Sequence, residues 1–286
     1  MHSLLDQLQS LTPGGYTTGG PPVAEPVAWA ALAIDRSGYD DAADRAAQWL
    51  VERQLRDGSV PASSTQDGPF WTTSLAILAW HEVDAARYEH QIQRAAEWLL
   101  SSEGRTMPRN PNMGHDTTLV GWSWNPETHS WLEPTAFAVM ALRAAGHKDH
   151  PRTREAVRLL VDRLLPEGGC NYGNTEVLGQ MLLPHLQPSG VVLWSLATED
   201  IDDPRVDKSL DTIEQMLEKP TGCSSLAFAL LALSAWKRTP KYADELIAEA
   251  LERPSTWQSP YKLALLTLAS LESNSPRQSE VLSVTS

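Results

Sequence analysis

PRVDKSLDTIEQMLE, residues 204–218, and SSLAFALLALSAW, residues 224–236, read as two different kinds of helix set side by side. In the first, Val206, Leu210, Ile213 and Leu217 recur at three- and four-residue spacing, while Asp207, Lys208, Asp211 and Glu214 fill the opposite face. That pattern predicts an amphipathic helix with one wet side. The second is apolar on every side, which predicts a helix buried all round. A helix of the first kind must lean on something, and a helix of the second kind must be enclosed.

The same pair recurs along the chain. Amphipathic segments are expected at residues 41–55, 88–100, 152–165 and 241–251, with a shorter one at 3–11. Wholly apolar segments surround Leu32, Leu78, Leu142, Leu196 and Leu268, for example PVAWAALAI at 26–34 and TTSLAILAW at 72–80. The spacing is irregular but the unit is recognisable, and repeated units that cannot bury their own faces are expected to stack. Six apolar helices alternating with six half-wet ones pack as an inner and an outer ring. The predicted fold is therefore all-α, an (α/α)6 toroid of about twelve helices over residues 1–272. Its ring closes if the N-terminal helix lies beside the last inner one. No stretch alternates long enough to predict a strand. The tail at 273–286 is expected to be disordered.

Bulk properties narrow the function. In 286 residues, 42% are hydrophobic and 21% charged, as in a globular protein with a sizeable core. A formal net charge of −13 argues against nucleic-acid binding, which needs a basic face. Cys170 and Cys223 are the only cysteines, too few for a disulfide framework. The first residues carry no basic, apolar leader and no segment is long enough to span a bilayer, so a cytoplasmic location is expected, with peripheral membrane contact left open. No dedicated protein partner is inferable.

Two long connections, 101–132 and 167–187, lead from outer to inner segments and should emerge at one end of the ring with 55–69. Connections of that length are usually functional or disordered. The first contains HDTTLVGWSWNPETHSWLEP, the richest chemistry in the chain: His115, Asp116, Trp122, Trp124, His129, Trp131 and Glu133. Glu133 precedes Pro134 at the start of an inner helix, and Glu25 precedes Pro26 in the same way, in EPTA and EPVA. Each carboxylate would sit on the positive end of its helix at the mouth of the ring, as a dipole partner or as a cavity acid. The structural role is favoured for Glu25, while both readings stand for Glu133. Asp116 is either an acid supported by His115 or the head of an Asx turn with Thr117 and Thr118. The set His115, Asp116, His129 and Glu133 has donors that suit zinc but matches no tight ligand spacing, so no cofactor is expected, a divalent metal being the alternative. In GGCNYGN, residues 168–174, Asn171, Tyr172 and Asn174 could hydrogen-bond a ligand or the loop itself. Cys170 beside them is expected to be a buried small residue.

The segment AQWLVERQLRDG at 47–58, with Gln54 and Gly58, resembles the QW repeat of squalene–hopene cyclases, with Val60 where a tryptophan is usual. EPTAFAVMAL and the GWSW phrase likewise resemble the prenyltransferase and squalene-cyclase repeat superfamily. The resemblance implies a toroid with an apolar central cavity for an isoprenoid or similar apolar molecule. On it, Asp116 or Glu133 would donate a proton, with His115 or His129 as partner. Trp122, Trp124 and Trp131 would stabilise a cation, and Trp29, Trp71 and Trp194 would line the cavity. The family's DxDD acid has a lookalike in Asp200-Ile201-Asp202-Asp203, but this one precedes an outer helix and reads as a solvated turn with N-cap character. A terpene-cyclase-like enzyme is the leading expectation. A non-catalytic binding or scaffold toroid and a carbohydrate-active barrel are the alternatives.

Overall fold

The computed structural model describes residues 2–63, 68–110 and 113–274. Thirteen helices are present among them, and the inner and outer classes fall as the periodicity predicts. The inner ring consists of α2 (Ala24–Arg36), α4 (Thr72–Asp84), α6 (Leu132–Ala144), α8 (Leu186–Leu196), α10 (Cys223–Ala235) and α13 (Pro260–Asn274). Each packs on the next in that order, and α13 packs back on α2, so the ring is closed. Outside it lie α1 (His2–Ser10), α3 (Asp40–Val51), α5 (Glu89–Ser101), α7 (Pro151–Asp162), α9 (Pro204–Leu217) and α11 (Ala243–Glu252). The N-terminal α1 sits against both α13 and α2, across the seam. A one-turn helix, α12 (Pro254–Trp257), joins α11 to α13.

The two ends of the ring differ, and the difference positions the site. Inner-to-outer turns are tight. At the ends of α2, α6 and α10 the same two bonds recur: Gly38 and Tyr39 to Asp35 and Ile34, Gly146 and His147 to Arg143 and Leu142, and Lys237 and Arg238 to Ser234 and Leu233. This is a Schellman stop, which needs one left-handed residue. Gly38 and Gly146 supply it at φ 80° and 82°, whereas Lys237 adopts φ 58° without a glycine's freedom. Buried ion pairs tie this end together. Arg36 of α2 bonds Glu82 of α4 at 2.7 Å and Glu272 of α13, linking three inner helices through one guanidinium. Buried Glu199, after α8, takes both Arg143 of α6 and the more exposed Arg154 of α7.

The long connections, 11–23, 52–71, 102–131 and 163–185, all run from an outer to an inner helix and gather over the inner-helix N-termini, while 218–222 is short. The QW-like segment explains one of them. Gln54 donates to the Gln91 carbonyl at 2.9 Å and to the Gly58 carbonyl at 3.1 Å, pinning the end of α3 to α5. A Cβ at Gly58 would meet the Arg94 carbonyl oxygen at 2.2 Å, so the close approach requires a glycine there.

Three expectations need correction. The connection after α7 holds a short antiparallel hairpin, β1 (Glu176–Val177) with β2 (Gln180–Met181), turned by Leu178 and Gly179 at positive φ. Its four paired residues are too few to leave an alternating signature in the sequence. The helix α13 runs through Ser273 to Asn274, whose amide reaches Asp244, so these two residues are helical; the rest of the expected tail, 275–286, lies outside the described residues. Third, the expected apolar hollow is filled. Trp29, Phe137, Trp194 and Phe228 meet one another across the axis with ring centroids 5.5–6.5 Å apart, and all four are buried. Among the described residues, no helix is long and apolar enough to cross a membrane.

Candidate functional site

All six inner helices carry a hydrogen-bonding side chain at their second residue; Thr73 of α4 bonds the Phe70 carbonyl and the Val60 N–H, and the other five are Glu25, Glu133, Gln187, Ser224 and Tyr261. These five converge at the mouth of the ring. Gln187 Nε2 donates to Glu133 Oε1 at 2.8 Å, and Ser224 Oγ donates to Gln187 Oε1 at 2.9 Å. Tyr261 reaches Glu25, and the Glu25 and Glu133 carboxylates act on each other electrostatically. Tyr16, from the loop after α1, donates its hydroxyl to Glu25 Oε2 and sets its ring edge-on to Tyr261 at 5.4 Å.

Residues four apart share a helix face, so what lies beneath these groups follows from the sequence. Trp29 lies below Glu25, Phe137 below Glu133 and Phe228 below Ser224. The aromatic plug therefore lies one turn beneath the polar residues, and we call these two layers the floor and the rim of a cup. The Trp29 indole N–H is buried without a hydrogen bond of ordinary geometry, yet it favours the charged form of the Glu25 carboxyl.

The electrostatics of the rim follow from burial. Glu25 is recessed though still reached by solvent, and its carboxyl is pushed up to about 7. Burial is the main cause; the hydrogen bond from Tyr16 and the nearby Trp29 indole N–H oppose it, and the neighbouring Glu133 charge adds to it. Glu133 is 5% exposed and also raised by burial, against the Gln187 hydrogen bond. A carboxyl that holds its proton near neutral pH, beside a second carboxyl, is the arrangement used for general acid catalysis.

The other residues singled out from the sequence sit elsewhere. Asp116 heads an Asx turn, accepting from the Thr118 backbone and hydroxyl at 2.9 and 2.7 Å, and pairs with Arg109 at 2.7 Å. Those bonds hold its carboxyl down at about 2, so it is charged at neutral pH. His115 is buried on Thr175, and burial lowers its imidazole to about 4. His129 is exposed, with its ring 4.2 Å from that of Trp131. Among the described residues no three His, Cys, Asp or Glu side chains are grouped to hold a metal ion, so His115, Asp116, His129 and Glu133 do not form one cluster. Asn171 spends its amide on the Leu183 carbonyl and its own neighbour's N–H, Tyr172 stacks on His185 at 4.9 Å, and Asn174 is half-buried in the same turn. Cys170 is sealed under that loop, its thiol pushed up to about 12 by burial. Asp203 of the DIDD segment is the N-cap of α9, accepting from Arg205 N at 2.9 Å.

Among the tryptophans, Trp122 is buried and donates to the Leu99 carbonyl at 2.9 Å, with the Arg152 guanidinium over its ring. Trp71 stacks on Phe137 at 6.4 Å and meets Trp124 edge-on at 4.7 Å. Tyr16, Gln187, Ser224 and Tyr261 were not singled out by the sequence reading. One signal pointed to Gln187: the pair Gln187-Pro188 repeats the Glu-Pro of Glu25-Pro26 and Glu133-Pro134 at the same place in a third inner helix.

No protein-family model matches this chain, and no curated protein matches it. Among solved structures it is similar to one described as a novel alpha-amylase from Clostridium perfringens, at 11% identity and a TM-score of 0.64. The match spans 94% of this chain and 96% of that one, so the likeness takes in the whole ring and is a likeness of fold.

Proposed function

We propose that the cup binds a glycan and cleaves a glycosidic bond, with Glu25 as the acid that protonates the departing oxygen and Glu133 as the second carboxylate. The observation that carries this reading is the pair itself: two recessed glutamates on one rim, on α2 and α6 with α4 between them, acting on each other electrostatically, one of them raised to about 7. Glycoside hydrolysis ordinarily uses two carboxyl groups, one held protonated and one charged. The rim supplies hydroxyl, phenol and amide groups from Ser224, Tyr16, Tyr261 and Gln187, which suit a hydroxyl-rich ligand. Beside it the partly exposed rings of Trp71 and Trp124 offer faces for sugar rings. The alpha-amylase description of a structure with the same fold is a second, weaker support. The isoprenoid reading draws support from the aromatic residues alone, because Trp29, Phe137, Trp194 and Phe228 occupy the axis where a hydrocarbon chain would fold.

The test is incubation with starch, maltooligosaccharides and oligosaccharides of other linkages, alongside farnesyl diphosphate and squalene, with products read by mass spectrometry and reducing-end assay. New reducing ends are expected from one glycan class. Glu25→Gln and Glu133→Gln should each lower kcat by roughly 10²-fold or more. Turnover that survives both substitutions, or products from the isoprenoids alone, would overturn the proposal. Absence of both turnover and glycan binding would leave a non-catalytic toroid.

A further inference from the structure

Beside the cup, between α4, α5 and the loop that precedes α6, lies a cleft of about 230 Å³. Phe70, Trp71, Trp98 and Trp124 give it ring faces, and Glu103 and Ser123 stand at its edge. We infer that this cleft is a binding subsite for one sugar ring of the same chain whose neighbouring unit enters the cup. The inference rests on the glycan reading above and extends it from a single scissile bond to an extended oligosaccharide.

Three observations place a sugar here. The first is continuity. Trp71 belongs to both places: it lines the cleft, and it stacks on Phe137 of the cup floor at 6.4 Å. Pro134, which also lines the cleft, is the residue after Glu133. A chain leaving the two glutamates on this side therefore passes over Trp71. The second is size. Small-molecule sites usually begin near 300 Å³, so a cleft of about 230 Å³ holds one ring of a longer ligand rather than a whole one. The third is chemistry. Trp71 and Trp124 meet edge-on at 85°, and Phe70 and Trp98 at 64°, so the two pairs present faces in different directions. Faces of that kind pack on the C–H side of a sugar, while serine hydroxyls and carboxylates serve its O–H edge. Ser102 and Ser123 donate to the Leu99 and Asn125 carbonyls and Glu127 pairs with Arg105, while the serine lone pairs and the Glu103 carboxylate can accept from the O–H groups of a sugar.

Trp124 is the residue to change, because it stands on a loop and leaves the helices intact. Substrates of increasing length from whichever class the enzyme cleaves are compared on wild type, Trp124→Ala and Trp124→Phe. The ratio of kcat/KM for the longest to that for the shortest substrate should fall roughly tenfold in Trp124→Ala, the equivalent of about 1.4 kcal/mol of lost stacking. Trp124→Phe should restore most of it. A ratio that stays constant, or falls equally in both variants, would overturn the inference. If the wild type cleaves nothing, the reading of the cup fails by itself and the cleft is still testable by calorimetry. Binding of maltoheptaose, cellohexaose or xylohexaose that is weakened by Trp124→Ala and retained in Glu25→Gln supports the subsite. No binding of any of the three, or binding of tetramethylammonium instead, overturns it.

Discussion

Replacing Glu25 by glutamine should make the protein more stable at pH 8 and leave it nearly unchanged at pH 4. Glutamine mimics the neutral carboxyl and does not titrate. In the folded chain the Glu25 carboxyl is raised from 4.5 to about 7, chiefly by burial. A group with a raised folded pKa stabilises the fold below its unfolded value and loses that contribution as pH climbs through the folded one. The window is therefore pH 4.5 to 7, and across it the wild type should lose stability relative to Glu25→Gln. Each pH unit between the two values is worth about 1.4 kcal/mol, giving a ceiling of about 3 kcal/mol, lowered where solvent reaches the carboxyl. In melting temperature that is roughly 5–10 °C at pH 8. Urea denaturation of both proteins at pH 4.5, 5.5, 6.5 and 8 reads the difference directly. A gap that stays flat across those four values would refute the assignment of Glu25 as a carboxyl that is neutral near pH 7. Repeating the series with Glu133→Gln in both proteins should shrink the gap, since the Glu133 charge is one of the groups that raise Glu25.

Other outcomes follow from the same geometry. Tyr16→Phe removes a hydrogen bond that favours the Glu25 carboxylate and should move its titration upward, whereas Glu133→Gln should move it downward; carboxyl ¹³C shifts resolve the two. Arg36→Ala leaves Glu82 and Glu272 charged at a buried seam, and a loss of about 3–5 kcal/mol is expected in urea titration. Gly190→Ala forces a Cβ to within 2.7–2.8 Å of the Phe228 and Ala229 backbone, so α8 and α10 must part, at a cost of about 1–3 kcal/mol or more in the same assay.

The fold was legible because it depends on periodicity. Val206, Leu210, Ile213 and Leu217 mark one wet helix, residues 224–236 mark a dry one, and alternation of the two admits few packings. The cup was legible only in part. Glu25 and Glu133 stood out because their Glu-Pro pairs repeat, and placing both at the mouth needed only the helix order. Their partners Gln187, Ser224 and Tyr261 come from other helices at an irregular spacing. That they meet depends on ring closure, which no local pattern encodes. Asp116 drew attention for its neighbours in the chain, yet Thr118 and Arg109 tie it into a turn. Trp29 was read as a cavity wall, and its burial among Phe137, Trp194 and Phe228 depends on how large side chains from four helices share one axis.

Closure of the ring also sets a schedule. Arg36 waits for Glu272, which is made 236 residues later, and Glu25 waits for Tyr261 on the same last helix. At the ribosome's pace of ~5–20 residues per second, that interval lasts roughly 10–50 s. Until then the ring cannot close, and the faces of α2 and α10 that α13 covers lack their partner. A chain cut before α13 would leave Arg36 without Glu272 and Glu25 without Tyr261, and the ring open.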